Sequence, residues 1–192
     1  MSADVRVGPD AVARCAWVGD DAEYRRYHDE EWGRPLHGDR PLFEKMSLEG
    51  FQAGLSWITI LRKRPHFREV FAAFDPAAIA VFDESDVERL MQDSGIIRNR
   101  AKILATISNA RLLLEMEPGE FDAFMWSFAP DTWPRPTSFA DVAATTPESD
   151  AMSRALRKRG FRFVGPTTMY ALMQSAGMVD DHVEGCWRAQ DR

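Results

Sequence analysis

The 192-residue chain contains two cysteines, and each has a histidine at ligand-like spacing. Twelve residues separate Cys15 from His28, and three separate His182 from Cys186. Two thiolates and two imidazoles are the donor set of a closed tetrahedral Zn2+ site, with every position filled by protein. At i and i+4, His182 and Cys186 share one face of any helix they occupy. Two buried free cysteines beside two hydrogen-bonded histidines is the other reading of the same residues. Position favours the metal, because a clamp there fastens segments near the termini that otherwise fray, and no further cysteine completes a different site. His37 and His66 lack such partners and are expected to bind nothing.

Glu49 suggests a second chemistry. The stretch EGFQAGLSWITI surrounds this carboxylate with small and apolar residues, and Tyr24, Tyr27, Trp32 and Trp57 lie nearby in sequence. A helix-end or solvent-facing glutamate is the plain alternative to a functional carboxylate in a dry aromatic pocket. A third signal is LMQDSGIIRNRAKI, residues 90–103. One helix ends there in a turn at Gly95, and a second begins among Arg98, Asn99, Arg100 and Lys102. Free backbone N–H groups and the positive end of the helix dipole make that start a phosphate site. This is the logic of a helix-hairpin-helix DNA-binding unit, although many glycine-containing hairpins with a few arginines bind nothing.

The elements that must position these residues read as helices. Asp21 and Asp39 are placed to cap helices running to Gly33 and through LFEKMSLEGFQAG. Ser56 opens WITILRKR, which Pro65 is expected to interrupt. Asp75 with Pro76 starts a short helix, and Ser85 with Glu88 reads as a capping box before VERLMQD. Asn99 to Met116 carries the clearest helical period, ended by Pro118-Gly119. Phe121 to Phe128 is one more short helix, PDTWPRPT is a loop, and helices follow from Ser149 to Gly160 and Thr168 to Ala176. The expected class is all-α, with a flexible N-terminal tail at residues 1–13 and a single helical domain over 14–192.

Composition bounds the partners. Apolar residues make up 45% of the chain, enough for a substantial core. No apolar run approaches a membrane span, and no leader pattern opens the sequence, so the expectation is a cytoplasmic protein without membrane contact. The net charge is −6, which alone counts against a coat for nucleic acid. Residues 115–150 hold eight acids and one base, however, a net of −7 that leaves the remainder at +1. Basic groups stand out there: residues 62–64, the hairpin, and the Arg154–Arg162 stretch with Lys158 and Arg159.

The runs RCAWVGDDAEYRRYHDEEWG, LFEKMSLEGFQAGLSWITIL, DSGIIRNRAKI, RALRKRGFRFVGPTT and DDHVEGC, spread in order from about Arg14 to Cys186, resemble the 3-methyladenine DNA glycosylase I family. That resemblance implies a helix-hairpin-helix glycosylase-like fold, a structural zinc joining the two ends of the chain, and excision of 3-methyladenine from alkylated double-stranded DNA by a monomeric enzyme. It assigns Cys15, His28, His182 and Cys186 as zinc ligands, the four also reached from spacing. Glu49 matches the acidic residue that recognises the flipped base, and Tyr24, Tyr27 and Trp57 match its aromatic lining. Gly54 and Leu55 match the tip that enters the duplex. A base methylated at N3 carries positive charge, so π faces and a buried carboxylate favour it over neutral adenine.

Such a base is already a good leaving group, so extruding it, holding it and admitting water to C1′ can suffice. Lys102 is not expected to do Schiff-base lyase chemistry, since nothing adjacent in sequence lowers its pKa. Glu115 and Glu117 stand where related glycosylases carry a catalytic aspartate, which the family lacks. A zinc-stabilised lesion-binding protein without hydrolysis is the competing reading. Both keep the hairpin and the zinc, but only the enzyme requires Glu49 and the aromatic pocket to act together.

Overall fold

The computed structural model describes residues 4–190, which form nine α-helices and one short hairpin. The hairpin comes first. β1 (Val5–Val7) pairs antiparallel with β2 (Ala13–Cys15), with Val5 opposite Cys15. The stretch from Val5 to Ala13, expected as a flexible tail, is therefore structured. Val5 and Cys15 bury against Val183 and Cys186 near the other end of the chain. Arg14 fixes the hairpin by bridging Asp10 at 2.8 Å and Asp29 at 2.7 Å.

α1 (Ala22–Glu30) starts where Asp21 accepts the Tyr24 N–H, as its sequence suggests. α2 (Asp39–Gln52) is buried from Leu42 to Phe51 on nearly every face. Its N-cap is Gly38 and not Asp39. The Asp39 carboxylate instead reaches across to the Gly119 and Asp122 N–H groups, at the start of α7 (Glu120–Trp126), while Asp122 accepts from the Gly38 N–H at 2.8 Å. Each helix thus caps the other, which satisfies orphan donors at both starts.

α3 (Trp57–Val70) runs straight through Pro65. A mid-helix proline costs about 3 kcal/mol. Anchors on both sides outweigh it: Leu61 and Phe67 are buried, and Arg64 makes a bidentate pair with Glu31 at 2.6 and 2.8 Å. Phe67, Phe71 and Phe74 then stack in series, which holds Ala72, Ala73 and Phe74 in three consecutive left-handed conformations.

α4 (Pro76–Ala80) has the expected Asp75 cap. α5 (Glu84–Gln92) begins two residues earlier than its sequence suggests, because Asp83 and Asp86 form the capping box in place of Ser85 and Glu88. α6 (Arg100–Leu113) is capped by Asn99. α8 (Pro147–Lys158) and α9 (Pro166–Ser175) likewise start earlier than expected, with Pro at the first turn of each; Ser149 is the third-position partner of the Thr146 cap. α9 packs against α8 and α2, so α2 lies between α9, α3, α6 and α7. That placement holds Lys45 and Glu49 in the interior. No described helix is long and apolar enough to cross a membrane.

Candidate functional site

A cavity of about 330 Å³ opens between α1, α2, the start of α3 and α9. Glu49, Tyr24, Tyr27, Trp32 and Trp57 all line it, together with Trp17, Gln52, Gln174 and Ser175. Glu49 is 3% exposed, and its Oε1 accepts a hydrogen bond from Ser175 Oγ at 2.9 Å. Burial pushes its carboxyl up to about 7, with the Lys45 charge and the Ser175 bond pulling the other way. Burial also raises the Tyr27 hydroxyl, and the nearby Glu49 charge adds to this. Tyr24 is tied at its oxygen, which accepts from the Ile58 N–H at 3.0 Å and so caps α3. Trp57 Nε1 is buried with no hydrogen-bond partner, leaving a donor on the cavity wall.

Lys45 escaped sequence reasoning although it lies one turn before Glu49 on α2. Its Nζ stands 5.1 Å from the Tyr27 ring centroid and 5.4 Å from that of Trp57, within cation–π range. Burial lowers its pKa, against the pull of Glu49 and Glu31. Behind it, Glu31 is held down at about 2: burial opposes ionisation, but Arg64 and Arg26 outweigh it. The cavity is therefore backed by alternating charges, Glu49, Lys45, Glu31 and Arg64. The i, i+4 spacing of Lys45 and Glu49, which puts both on one face of α2, is the signal that could have exposed this arrangement.

Cys15, His28 and Cys186 present donor atoms within 4.8 Å of one another, all buried. His182 adjoins them, its ring centroid 4.9 Å from that of His28. It does so without the expected helix: residues 181–186 are irregular, with a turn closed by Cys186 N–H to Val183 O. Each imidazole has its Nδ1 on a carboxylate, Asp29 for His28 at 2.8 Å and Asp180 for His182 at 2.7 Å. The His182 Nε2 is buried without a partner. The Cys186 thiol is pushed down, first by a hydrogen bond from Cys15 and then by His28, whereas the same bond and burial push Cys15 up. Trp32 joins this cluster to the cavity, its ring 4.5 Å from that of His182. Gly33 leaves room for that histidine, since a Cβ there lies 2.7 Å from His182 Cε1.

The other predicted residues divide. Gly54, with φ +87°, and Leu55 form an exposed tip between α2 and α3. Gly95 turns the α5–α6 hairpin because His66 presses on it; a Cβ would meet His66 Cδ2 at 2.1 Å. His66 also grips Asp93 at 2.8 Å, so it braces the hairpin. Arg98 is exposed at the start of α6 and Lys158 at the end of α8. Arg100 is engaged by Glu84 and Glu88 of α5, and Arg159 pairs with Glu120 and lies over Phe124. Lys102 is 7% exposed and donates to the Phe51 and Ala53 carbonyls at 2.9 Å, closing the end of α2. Burial does lower its pKa, contrary to the expectation from sequence neighbours, but its protons are committed to backbone.

A profile of the methyladenine glycosylase family matches residues 17–189. The chain is 52% identical over 180 residues to DNA-3-methyladenine glycosylase 1 of Escherichia coli, spanning 91% of this chain and 96% of that protein. It is 50% identical to DNA-3-methyladenine glycosylase of Haemophilus influenzae, over 91% and 97% of the two chains. A crystal structure of 3-methyladenine DNA glycosylase I superposes with a TM-score of 0.87 at 51% identity, covering 91% of this chain and 98% of that one. A variant of 3-methyladenine DNA glycosylase I in complex with 3-methyladenine superposes with a TM-score of 0.84 at 33% identity, over 90% and 95%. With its family profile spanning nearly the whole fold and two relatives at half identity, this chain belongs to the methyladenine glycosylase family.

Proposed function

We propose that this protein excises 3-methyladenine from alkylated duplex DNA, hydrolysing the N-glycosidic bond of a base flipped into the aromatic cavity. The observation that carries the reading is Glu49, a nearly inaccessible carboxylate facing a cavity walled by Tyr24, Tyr27, Trp32 and Trp57. A methylated, cationic purine gains there from both the carboxylate and the ring faces, whereas neutral adenine gains from neither charge term. Ionised Glu49 accepts a hydrogen bond from the exocyclic amine, and the orphan Trp57 Nε1–H supplies a donor to a ring nitrogen. The ring positive charge makes the base a competent leaving group, so the residues hold and orient it while water reaches C1′. Lys102, the amine weighed for a lyase step, is buried with its ammonium donating to the α2 carbonyls.

On the duplex side, Gly54 and Leu55 fill the space the nucleotide leaves, and the α5–α6 hairpin offers the α6 N-terminus with Arg98 to a phosphate. The charges of Arg100 and Arg159 are balanced within the fold, which leaves Arg98 and Lys158 as the better phosphate contacts among the residues named from sequence.

Cys15, His28, His182 and Cys186 suit a structural zinc ion. The orphan His182 Nε2 and the two carboxylate-braced imidazoles are what a metal site requires of its ligands. Bound there, the ion would be held by these four side chains and would crosslink the β1–β2 hairpin, α1 and the 181–186 segment. Incubating the protein with methylated duplex and resolving the liberated bases by chromatography tests the reading. Free 3-methyladenine is expected; its absence with folded protein refutes the assignment in favour of a lesion-binding protein.

A further inference from the structure

Phe163 combines three features that conflict with a packing role. It is a non-glycine residue in the left-handed region, with φ +57°. Its side chain is 40% exposed. It also stands in the most basic stretch of the chain, with Arg154, Arg157, Lys158, Arg159 and Arg162 just before it. Phe74 has a similar φ but is wholly buried in the stacked phenylalanine series, so packing offsets its strain. Phe163 has no comparable compensation.

The backbone on either side of Phe163 is nevertheless pinned. Asn109, 4% exposed on α6, accepts from the Arg162 N–H at 2.9 Å and donates to the Arg162 carbonyl at 3.0 Å. Ser153, 2% exposed on α8, donates to the Val164 carbonyl at 2.6 Å. Two buried side chains thus impose a conformation that the residue between them disfavours. Strain held in this way persists where the surroundings over-determine it, and it concentrates at contact sites.

Its location indicates what it contacts. Gly50, the residue after Glu49, faces it closely: a Cβ there lies 3.4 Å from the Phe163 Cβ. Gly50, Phe51, Lys102, Asn109, Arg162 and Phe163 share one small crevice. The ring therefore stands where the last turn of α2, which leads into the Gly54–Leu55 tip, meets the first turns of α6, which leave the hairpin. An exposed aromatic flanked by arginines on that face suits one partner, a polyanion with apolar surface between its charges.

We propose that Phe163 is a second apolar DNA contact, its ring packing on the sugar and base surface of the duplex beside the extruded nucleotide. The Leu55 tip fills the gap on one side, and the pinned phenylalanine holds the adjoining stack, so the kinked duplex is gripped at two points. The proposal rests on the duplex-binding reading above, but its test does not depend on base release.

The discriminating variant is Phe163→Gly, because glycine adopts φ +57° without strain. Binding to a fluorescent duplex carrying a tetrahydrofuran abasic analogue is measured by anisotropy at several salt concentrations. Base–aromatic contacts of this kind contribute at least about fivefold in affinity. We expect at least that loss, with the salt slope unchanged, the melting temperature equal to or above that of the parent, and binding of free 3-methyladenine unaltered. Phe163→Tyr should keep parental affinity. Unchanged duplex affinity in Phe163→Gly overturns the proposal, as does a loss accompanied by a lower melting temperature or weaker base binding, which assigns the ring to packing. If the parent protein binds the duplex but releases no base, the enzymatic reading fails and the Phe163 contact stands.

Discussion

Ser175 Oγ donates to Glu49 Oε1 at 2.9 Å across 126 positions of sequence, tying α9 to the central helix at the wall of the aromatic cavity. A donor at that oxygen favours the ionised carboxyl, so it works with the Lys45 charge against the burial that pushes Glu49 up to about 7. Ser175→Ala should therefore raise the carboxyl further. In base-release assays kcat/KM is expected to fall severalfold at pH 6.5 and recover by pH 9. An equal loss at both pH values contradicts the electrostatic account.

The pH profile of the unaltered protein follows from the same group. Holding a cationic base requires ionised Glu49, so kcat/KM should decline about tenfold per pH unit below about 7. Lys45→Met removes the stabilising cation and should move that midpoint upward; Glu31 and Arg64, which also face Lys45, remain in place.

Stability carries the opposite dependence. The folded carboxyl lies near 7 against an ordinary 4.5, so folding favours the protonated form. The contribution of this proton is present in full below about 4.5 and is lost as pH rises through about 7. Glu49→Gln should accordingly stabilise the fold at pH 8, by up to roughly 3 kcal/mol, and by progressively less toward pH 4.5. Thermal melts of the two proteins across that range check the trend.

The metal cluster predicts a structural effect. One zinc per chain should be recovered by elemental analysis, and His182→Ala or prolonged chelation should lower the melting temperature by roughly 10 °C or more, as loss of a site worth several kcal/mol does in a domain of this size. Unchanged melting after complete metal removal contradicts the crosslink.

The basic residues should separate in a way their sequence does not show. Arg98→Ala should weaken duplex binding and reduce the salt slope by about 1, without changing which base is released. Lys102→Met should leave the slope alone and destabilise the fold, since its ammonium holds the Phe51 and Ala53 carbonyls.

That contrast shows where sequence reading reached its limit. The spacing of Cys15, His28, His182 and Cys186 raised a metal cluster beside the plainer reading of buried cysteines and hydrogen-bonded histidines, and the fold brings three of the donors together with the fourth imidazole adjoining them. Glu49 was legible only as a pair of alternatives, an exposed carboxylate or one enclosed by aromatic residues, and the fold encloses it with Tyr24, Tyr27, Trp32 and Trp57 around one cavity. Charge destination was not legible. Arg100, Lys102 and Arg159 read alike as phosphate contacts, yet Glu84, Glu88, Glu120 and the end of α2 claim them through tertiary contacts. Helix boundaries failed for the same reason. Asp39 spends its carboxylate on another helix, and Pro65 sits mid-helix because Arg64 and Phe67 are anchored elsewhere. The short strands from Val5 to Cys15 are stabilised by Val183, Cys186 and Asp29, partners that no local window contains.

Single-turnover release of 3-methyladenine from methylated duplex at pH 8, comparing the unaltered protein with Glu49→Gln, tests the central claim most directly. The substitution keeps the shape and a hydrogen-bonding oxygen but removes the charge that the cationic base is meant to meet. A preorganised charge in a dry site contributes roughly 3 kcal/mol or more, so release should slow by at least about 100-fold while the variant remains folded. Release at the parental rate would show that the Glu49 charge does not select the methylated base.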